Sequence, residues 1–330
     1  MDDQRQFLSI QVSDPSYGPG LDPTDSETAP VDATVEGIPW GPVDPRPAPG
    51  GELVFVDGAQ QVEAWLTITP GDDPEARPGV ACAVAAGAVL AGPGRSAEIV
   101  ELRVRRIVLT VGERRLELPP VGGFRWEPRT GAAREATGIA RRVGQLRQEL
   151  ELDLAERFAD PERLVVLDGR LSFVRDAAGP VVGAIKSHHR MYLPTAQARA
   201  VVELGVGQRT PLFAIGEDRL SWYQRLPNAG ERGWAGILRG ELPRAIGVGE
   251  ARRLADRAAA ELPRFAGRPH RDPRAPQNLA PVAGLEQRLR QRMGDRRLAL
   301  RAARRAAAGA VLEAAPGVRV RVEAAEAVAA

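Results

Sequence analysis

ELVFVDG, residues 52–58, is the stretch of sequence that decides the fold of this chain. Its short apolar run predicts a buried β-strand, and the Asp-Gly pair that begins at Asp57 predicts the end of that strand. The same pattern returns 111 residues later as LVVLDG, residues 164–169, with its aspartate at Asp168. Continuous apolar runs are typical of central strands that are buried on both faces. If the two strands are neighbours, Asp57 and Asp168 meet at one edge of a sheet.

The remaining pattern predicts an α/β fold, with a mixed sheet whose first strands are antiparallel and with flanking helices. Gly112 lies between two β-like runs, 99–111 and 114–118, and predicts a hairpin there. We predict further strands at 61–69, 80–90, 181–185, 211–215, 220–225 and 234–239. We predict helices at 130–158, 195–204, 250–262, 285–293 and 296–307.

Composition divides the 330-residue chain into three parts. Residues 1–50 carry nine acidic residues and two arginines, a net charge of −7, and we expect a mostly disordered or extended acidic arm whose end is pinned to the body by Trp40. We expect residues 51–310 to form one folded domain and residues 311–330 a C-terminal tail. The chain as a whole carries +2, so its remainder after residue 50 carries +9. That charge suits a polyanion such as DNA and would also attract the arm, although ordinary surface arginine explains it equally well.

The cellular setting is constrained by cysteine content and by hydropathy. The single cysteine, Cys82, excludes an intramolecular disulfide and fits a reducing, cytoplasmic environment. No apolar run approaches the roughly 20 residues that a membrane-spanning helix needs. We therefore expect a soluble, cytoplasmic protein that does not associate with membranes.

Carboxylates at one sheet edge are the strongest functional signal in the sequence. Asp-Gly is also the commonest turn dipeptide, so neither pair is informative by itself. Converging carboxylates, however, must shift their pKa values or hold hard divalent cations. Oxygen ligands favour magnesium or manganese, and the sequence has no His/Cys cluster of the kind that binds zinc. Asp57 and Asp168 are thus predicted metal ligands.

A third carboxylate is available on the helix that precedes Asp168. Residues 145–158 (QLRQELELDLAERF) carry Glu149, Glu151 and Asp153. We expect Glu151 to face the site, with Glu149 as the alternative register. A solvated charged stripe is the other explanation for such a helix.

Lys186 directly follows the apolar run 181–185 and is the one lysine among 45 basic residues. A compact ammonium at the same sheet edge would neutralise a scissile phosphate or a developing oxyanion. His188 follows closely and is a candidate DNA contact, although histidines in loops are usually surface residues.

The order of these motifs resembles the NurA family of nucleases. The resemblance runs from about residue 50 to about residue 300 and includes, besides the segments above, WYQR at 222–225 and the stretch 268–295. It implies a ribonuclease H-like core and manganese-dependent exonuclease and endonuclease activity in DNA end processing and repair. It also implies a homodimer that works with the hexameric HerA translocase ATPase.

The resemblance also assigns roles to individual residues. Asp57 resembles the first-strand metal ligand, Glu151 the helix glutamate, Asp168 the central metal ligand and Lys186 the lysine after the next strand. In the C-terminal motif, Pro281 matches, but Ala280 stands where the family has an aromatic residue.

Glu286 stands at the position of the last metal ligand of that motif. The alternative is an exposed glutamate in the first turn of a helix, where the helix dipole favours it. The Pro-rich loop around His270, Arg271 and Arg274 is either a contact to the DNA backbone or a plain connection between helices.

The sequence thus predicts two-metal hydrolysis of phosphodiester bonds, with Mn²⁺ or Mg²⁺ held by Asp57, Glu151 and Asp168. Lys186 adds positive charge at the non-bridging oxygens. A non-catalytic module that binds DNA or a translocase is the alternative. An enzyme for phosphorylated small molecules ranks last, because neither GxGxxG nor GxxxxGK[ST] occurs.

Overall fold

The computed structural model describes residues 9–13, 30–46, 50–70, 75–132, 136–171, 180–186, 192–227, 234–268, 270 and 275–312. Within these residues, eleven strands form one mixed sheet with helices packed on it, so the protein has an α/β fold. The strands are β1 (Ser9–Ser13), β2 (Val31–Asp32), β3 (Leu53–Thr69), β4 (Arg77–Gly92), β5 (Arg95–Val111), β6 (Leu116–Glu117), β7 (Glu127–Ala132), β8 (Leu164–Asp168), β9 (Val181–Ile185), β10 (Phe213–Ile215), β11 (Arg219–Arg225), β12 (Ile237–Pro243) and β13 (Val311–Leu312). The helices are α1 (Ala136–Phe158), α2 (Thr195–Glu203), α3 (Val248–Glu261), α4 (Ala280–Met293) and α5 (Arg296–Ala307).

The sheet combines an antiparallel part with a parallel centre. Its strand order is β2-β10-β11-β12-β9-β8-β3-β4-β5-β7, and β1 pairs separately with β3. Strands β3, β4 and β5 form the predicted antiparallel meander. Strand β8 lies between β3 and β9 and is parallel to both. The runs 52–58 and 164–169 therefore belong to central strands, as predicted, and these strands are neighbours, which is the condition under which Asp57 and Asp168 were expected to meet.

The prediction that Asp57 ends its strand is wrong. Residues 52–56 and 61–69 were expected to be two strands, but both belong to the single long strand β3. The antiparallel partner β4 accompanies β3 from Leu53 to Ile68, with one irregularity between Val62 and Ala64. This continuous ladder carries the backbone straight through Asp57, so the Asp-Gly pair does not form a turn.

The other edge of β3 is interrupted. Strand β8 pairs with its first residues, Leu53 to Val56, and β1 pairs with its last, Trp65 to Thr69. Between them, residues 57–64 have no partner strand on this edge within the described residues. We call this interval the notch. It opens at Asp57, directly beyond the end of β8.

The two faces of the central strands are covered by different helices. Val54 and Val56 of β3 lie in one core cluster with residues of α1, including Leu154. Leu53 and Phe55 point the other way and lie in a second cluster with residues of α3 and α4. The alternation of side chains along β3 therefore puts α1 on one side of the sheet and α3 and α4 on the other.

Two further predictions need correction. The helix predicted at 130–158 begins only at Ala136, because Glu127–Ala132 is a strand that pairs in parallel with β5. The hairpin predicted at Gly112 does not form: residues 116–117 pair with β13 in a separate small sheet. Leu116 is buried in a cluster with α5, and this packing draws the segment away from β5.

Parts of residues 1–50 are built into the fold. Strands β1 and β2 pair with β3 and β10. The indole of Trp40 donates a hydrogen bond of 2.9 Å to the carbonyl of Gln197 and packs edge-on against Phe213. At the other end of the chain, residues 313–330, most of the predicted tail, lie outside the described residues. None of the helices in the described residues is both long and apolar enough to cross a bilayer.

Candidate active site

Asp57 and Asp168 lie one position beyond the last paired residues of the parallel strands β3 and β8. The register joins Leu53 to Leu164 and Val56 to Leu167, an offset of 111 residues. Asp57 and Asp168 have the same offset, so they occupy the next position of this register. Side chains at matched positions of parallel strands point to the same face. The two carboxylates therefore lie side by side where β8 ends and the notch begins.

Glu151 reaches the same place from the opposite face of the sheet. Its helix, α1, covers the face away from Asp57, and its side chain is only 2% exposed. The contact is possible because Gly58 has no side chain: a Cβ there would collide with the Glu151 carboxylate, lying 2.9 Å from its Cδ. The glycine beside Asp57 thus admits a third carboxylate to the notch.

The other acidic residues of α1 face solvent. The Glu149 side chain is 59% exposed and pairs with Arg142 at 2.7 Å. The Asp153 side chain is 63% exposed and pairs with Arg103. Glu149 and Glu151 were the two candidates for the site glutamate of α1, and their positions favour Glu151.

Lys186 brings a positive charge to the carboxylates. Its Nζ donates a hydrogen bond of 2.6 Å to Asp168 Oδ2 and another of 2.6 Å to Asn278 Oδ1. Asn278 is fully buried and lies just before α4. The ammonium is therefore held between a sheet residue and a loop residue. Such a bridge needs a compact donor, which is consistent with a lysine in a chain that otherwise uses arginine.

The buried carboxylates repel one another. Burial raises the pKa of Asp57 well above its usual range, and the charges of Asp168 and Glu151 raise it further against the opposing pull of Lys186. Burial raises the pKa of Glu151 to about 7, assisted by Asp168 and opposed by the adjacent Arg147, which forms an ion pair with Glu151. Within the described residues, Asp57 forms no ion pair. Ionising these two carboxyl groups is therefore unfavourable, and the neighbouring Lys186 and Arg147 offset that cost only in part.

The chemistry of this donor set fits a hard divalent cation, because carboxylate oxygens are the ligands such ions prefer. The present arrangement is not a closed ligand shell. Among the described residues, no group of three or more His, Cys, Asp or Glu side chains is arranged to hold a metal ion. Arg147 and Lys186 instead pair with Glu151 and Asp168. Metal binding at these carboxylates stays a prediction.

Two of the remaining predicted site residues, Glu286 and His270, are among the described residues. Glu286 lies on α4 and pairs with Arg290 at 2.7 Å; no described contact joins it to the three carboxylates. Ala280 is the first residue of α4. His270 is exposed in the loop before α4. His188, Arg271 and Arg274 lie outside the described residues, so their predicted contacts to DNA stay predictions.

Three further residues shape the candidate site and were not predicted from the sequence. Asn278 lies inside the stretch 268–295, but its bond to Lys186 spans 92 residues and leaves no local signal. Arg147 had one: it precedes Glu151 by four residues, the spacing of an ion pair along a helix face. Gly58 was noticed as a turn residue, whereas its actual role is to leave room for Glu151.

We expect Gly58→Ala to displace Glu151 and to lower any metal-dependent activity of the site by about 10- to 100-fold, the range that misplaced supporting groups typically cost. The added methyl would also lie 3.0 Å from the Ala85 carbonyl oxygen, so the strand itself has little freedom to yield. Gly284→Ala on α4 is the matched control, since a Cβ there meets nothing within 4 Å. Equal activity in the two variants would contradict the role given to Gly58.

Fold and site together define an α/β protein with a cluster of carboxylates and one lysine where a central parallel strand of its sheet ends. A comparison with models of known protein families finds no match to this chain. A comparison with curated proteins likewise finds no significant match.

Proposed function

We propose that this protein is a metal-dependent DNA nuclease with a ribonuclease H-like core. One observation carries the proposal: Asp57 and Asp168 lie side by side on adjacent strands next to Lys186, and Glu151, from the other side of the sheet, lies near enough to raise the pKa of Asp57. Such a cluster is costly to bury, since the nearby charge of Asp168 adds to burial in raising the pKa of Asp57 and of Glu151. Strongly perturbed carboxylates in such a cluster are typical of functional sites.

The chain's own residues supply binding and orientation. Asp57, Asp168 and Glu151 would hold Mn²⁺ or Mg²⁺ through carboxylate oxygens. A cation held there would supply Lewis-acid activation of water and of the leaving oxygen. Lys186 would lie against the non-bridging oxygens of the scissile phosphate, and Asn278 keeps its ammonium in the notch when the carboxylate of Asp168 is otherwise engaged. Arg147 neutralises Glu151 in the absence of a cation.

DNA as substrate is supported by charge and by the resemblance. The chain after residue 50 carries +9, and the motif order resembles the NurA nucleases. On that basis we also propose a homodimer, a HerA-type hexameric ATPase as partner, and a role in DNA end processing and repair.

The test is cleavage of single-stranded and duplex DNA by the purified full-length chain with manganese, with magnesium and with a chelator. We expect metal-dependent cleavage that Asp168→Asn reduces by at least about 1000-fold, the scale seen when a reacting group is removed. Asp160→Asn, at an exposed turn before β8, is the control and should cleave like the wild type. Cleavage that survives Asp168→Asn would refute the site.

The existing ion pairs also favour a second candidate, a non-catalytic module that binds DNA or a translocase. Lys186 pairs with Asp168 and Arg147 with Glu151, so two of the three carboxylates have a positively charged partner without any metal ion. Under this alternative, the chain binds DNA with unchanged affinity in the presence of a chelator and never cleaves it.

A further inference from the structure

Helices α4 and α5 present an unusually basic surface. Residues 280–307 contain eight arginines and only two acidic residues, a net charge of +6. All eight arginines are exposed. We call this surface the arginine face; its members are Arg288, Arg290, Arg292, Arg296, Arg297, Arg301, Arg304 and Arg305.

General enrichment in arginine does not account for this surface. Helix α1 comes from the same arginine-rich chain and has four arginines and four acidic residues. Helix α3 has three of each. On those helices, acidic side chains balance the basic ones, whereas α4 and α5 leave most of their positive charge without a counter-charge on the same element.

The two acidic residues of this region are already engaged. Glu286 pairs with Arg290 at 2.7 Å. Asp295 caps α5: its carboxylate accepts hydrogen bonds from the backbone amides of Arg297 and Leu298 at 2.7 and 3.0 Å. Across the described residues, no salt bridge joins Arg301, Arg304 or Arg305 to an acidic side chain. These guanidinium groups therefore have their charge available to an external anion.

The arginines of α5 form one stripe. Arg297, Arg301, Arg304 and Arg305 follow the three- and four-residue spacing that places side chains on one side of a helix. The opposite side is buried through Ala299, Leu300, Ala302, Ala303 and Ala306. At 1.5 Å of rise per residue, the stripe is about 12 Å long, enough to contact successive phosphates of one strand.

The helices that carry the arginine face pack on the strands of the candidate active site. Helix α4 starts two residues after Asn278 and packs on β3 and β4. Its Leu285 faces Gly87, the β4 residue that pairs with Asp57, so closely that a Cβ on Gly87 would meet Leu285 Cδ1 at 2.7 Å. Helix α5 follows after a short turn and packs on the later part of β3.

We propose that the arginine face binds the sugar-phosphate backbone of a nucleic acid and leads it to the notch. Guanidinium groups recognise phosphates in a bidentate fashion without reading bases, so this contact is independent of sequence. The delivery to the notch rests on the proposed nuclease function. The binding itself does not, and it can be measured when no cleavage occurs.

The experiment measures the affinity of the full-length chain for fluorescent oligonucleotides of two unrelated sequences, in the presence of a chelator, from about 50 to 200 mM salt. One variant carries Arg301→Gln, Arg304→Gln and Arg305→Gln. The control carries Arg141→Gln, Arg157→Gln and Arg253→Gln, three exposed arginines on α1 and α3. Both have the same net charge, so a difference between them reports on position. Circular dichroism checks that both are folded.

We expect the α5 variant to bind both sequences at least about 10-fold more weakly than the control. We also expect the slope of log affinity against log salt to fall by about 2 to 3, roughly one unit for each lost phosphate contact. Equal affinities of the two variants would overturn the proposal and leave the surface to another partner, such as an acidic protein. Weak binding by the α5 variant together with an inactive wild type would uphold the arginine face and reject only the nuclease.

Discussion

Asp57→Asn is expected to abolish metal-dependent cleavage while making the metal-free protein more stable. The wild-type carboxylate is 6% exposed, lies beside Asp168 and Glu151, and has a pKa raised chiefly by burial. Replacing a buried charge with a neutral group of the same shape removes its desolvation cost, which is on the order of several kcal/mol for one ion. A thermal melt in the presence of a chelator and a cleavage assay with manganese measure the two effects.

The stability gain should depend on pH. The folded-state pKa of Asp57 is raised above the ordinary value of 3.8, so proton uptake favours the folded wild type at low pH. That contribution is complete below 3.8 and is lost as pH rises through the folded pKa. The pKa of Glu151 is raised to about 7, so its contribution to stability is likewise lost as pH rises. The melting temperature of Asp57→Asn should therefore exceed that of the wild type increasingly as pH rises, and most clearly above the folded-state pKa of Asp57.

Asp153→Asn is the control for both effects. It removes a carboxylate from α1 whose side chain is 63% exposed, and surface ion pairs contribute little, so stability and cleavage should both stay near wild type. A less stable Asp57→Asn protein at pH 8 would contradict the electrostatic description of the notch. Undiminished cleavage would contradict its chemistry.

The pairing of Asp57 with Asp168 was accessible from sequence because both aspartates follow runs that are apolar at every position. Such runs belong to central parallel strands, and equal positions after equal runs come into register when the strands pair. What could not be predicted is that β3 continues beyond Asp57. Continuation depends on the partner strand β4, which pairs with residues on both sides of the Asp-Gly, and this long-range pairing leaves no trace in the local pattern.

The choice of Glu151 could be predicted from the sequence, but its route to the site could not. Spacing alone places Arg147, Glu151 and Ala155 on one side of α1, and Ala155 is buried. The sequence therefore contained a reason to choose Glu151 over Glu149. It did not reveal that α1 lies on the face opposite to Asp57, so that its carboxylate reaches the notch only across Gly58. The role of Asn278 is harder to predict, because the sequence around a loop asparagine indicates neither that it is buried nor that it bonds to Lys186.

Arg209→Met is expected to destabilise the protein by about 3 to 5 kcal/mol, because it leaves buried carboxylates without their partner. Arg209 is 1% exposed and donates hydrogen bonds of 2.8 and 2.9 Å to Glu36 and one of 2.6 Å to Asp256. Burial alone would raise the pKa of Glu36, but the bonds from Arg209 and from the amide of Leu212 outweigh it and keep that pKa low. Chemical denaturation of the variant measures the loss.

Arg253→Met is the matched control, since Arg253 forms a surface pair with Glu250 on α3 and should contribute less than about 1 kcal/mol. Adding Glu36→Gln to Arg209→Met should recover part of the lost stability, because one of the stranded charges is then gone. Similar losses in Arg209→Met and Arg253→Met would show that the buried ion pairs do not hold residues 30–46 to the body.

The same contacts change what a truncation would reveal about the acidic segment. Deleting residues 1–50 to test whether they cover a basic channel also removes Glu36, Trp40 and β2 from the fold. The free energy of unfolding should then fall at least as far as in Arg209→Met, and any change in DNA affinity would report on unfolding as well as on charge. Deleting residues 1–29 keeps those three features and removes six of the nine acidic residues of the segment, at the cost of strand β1 on the edge of β3. If the segment shields the arginine face, this shorter deletion should raise DNA affinity at low salt and leave it unchanged at high salt, where the Debye length is shortest.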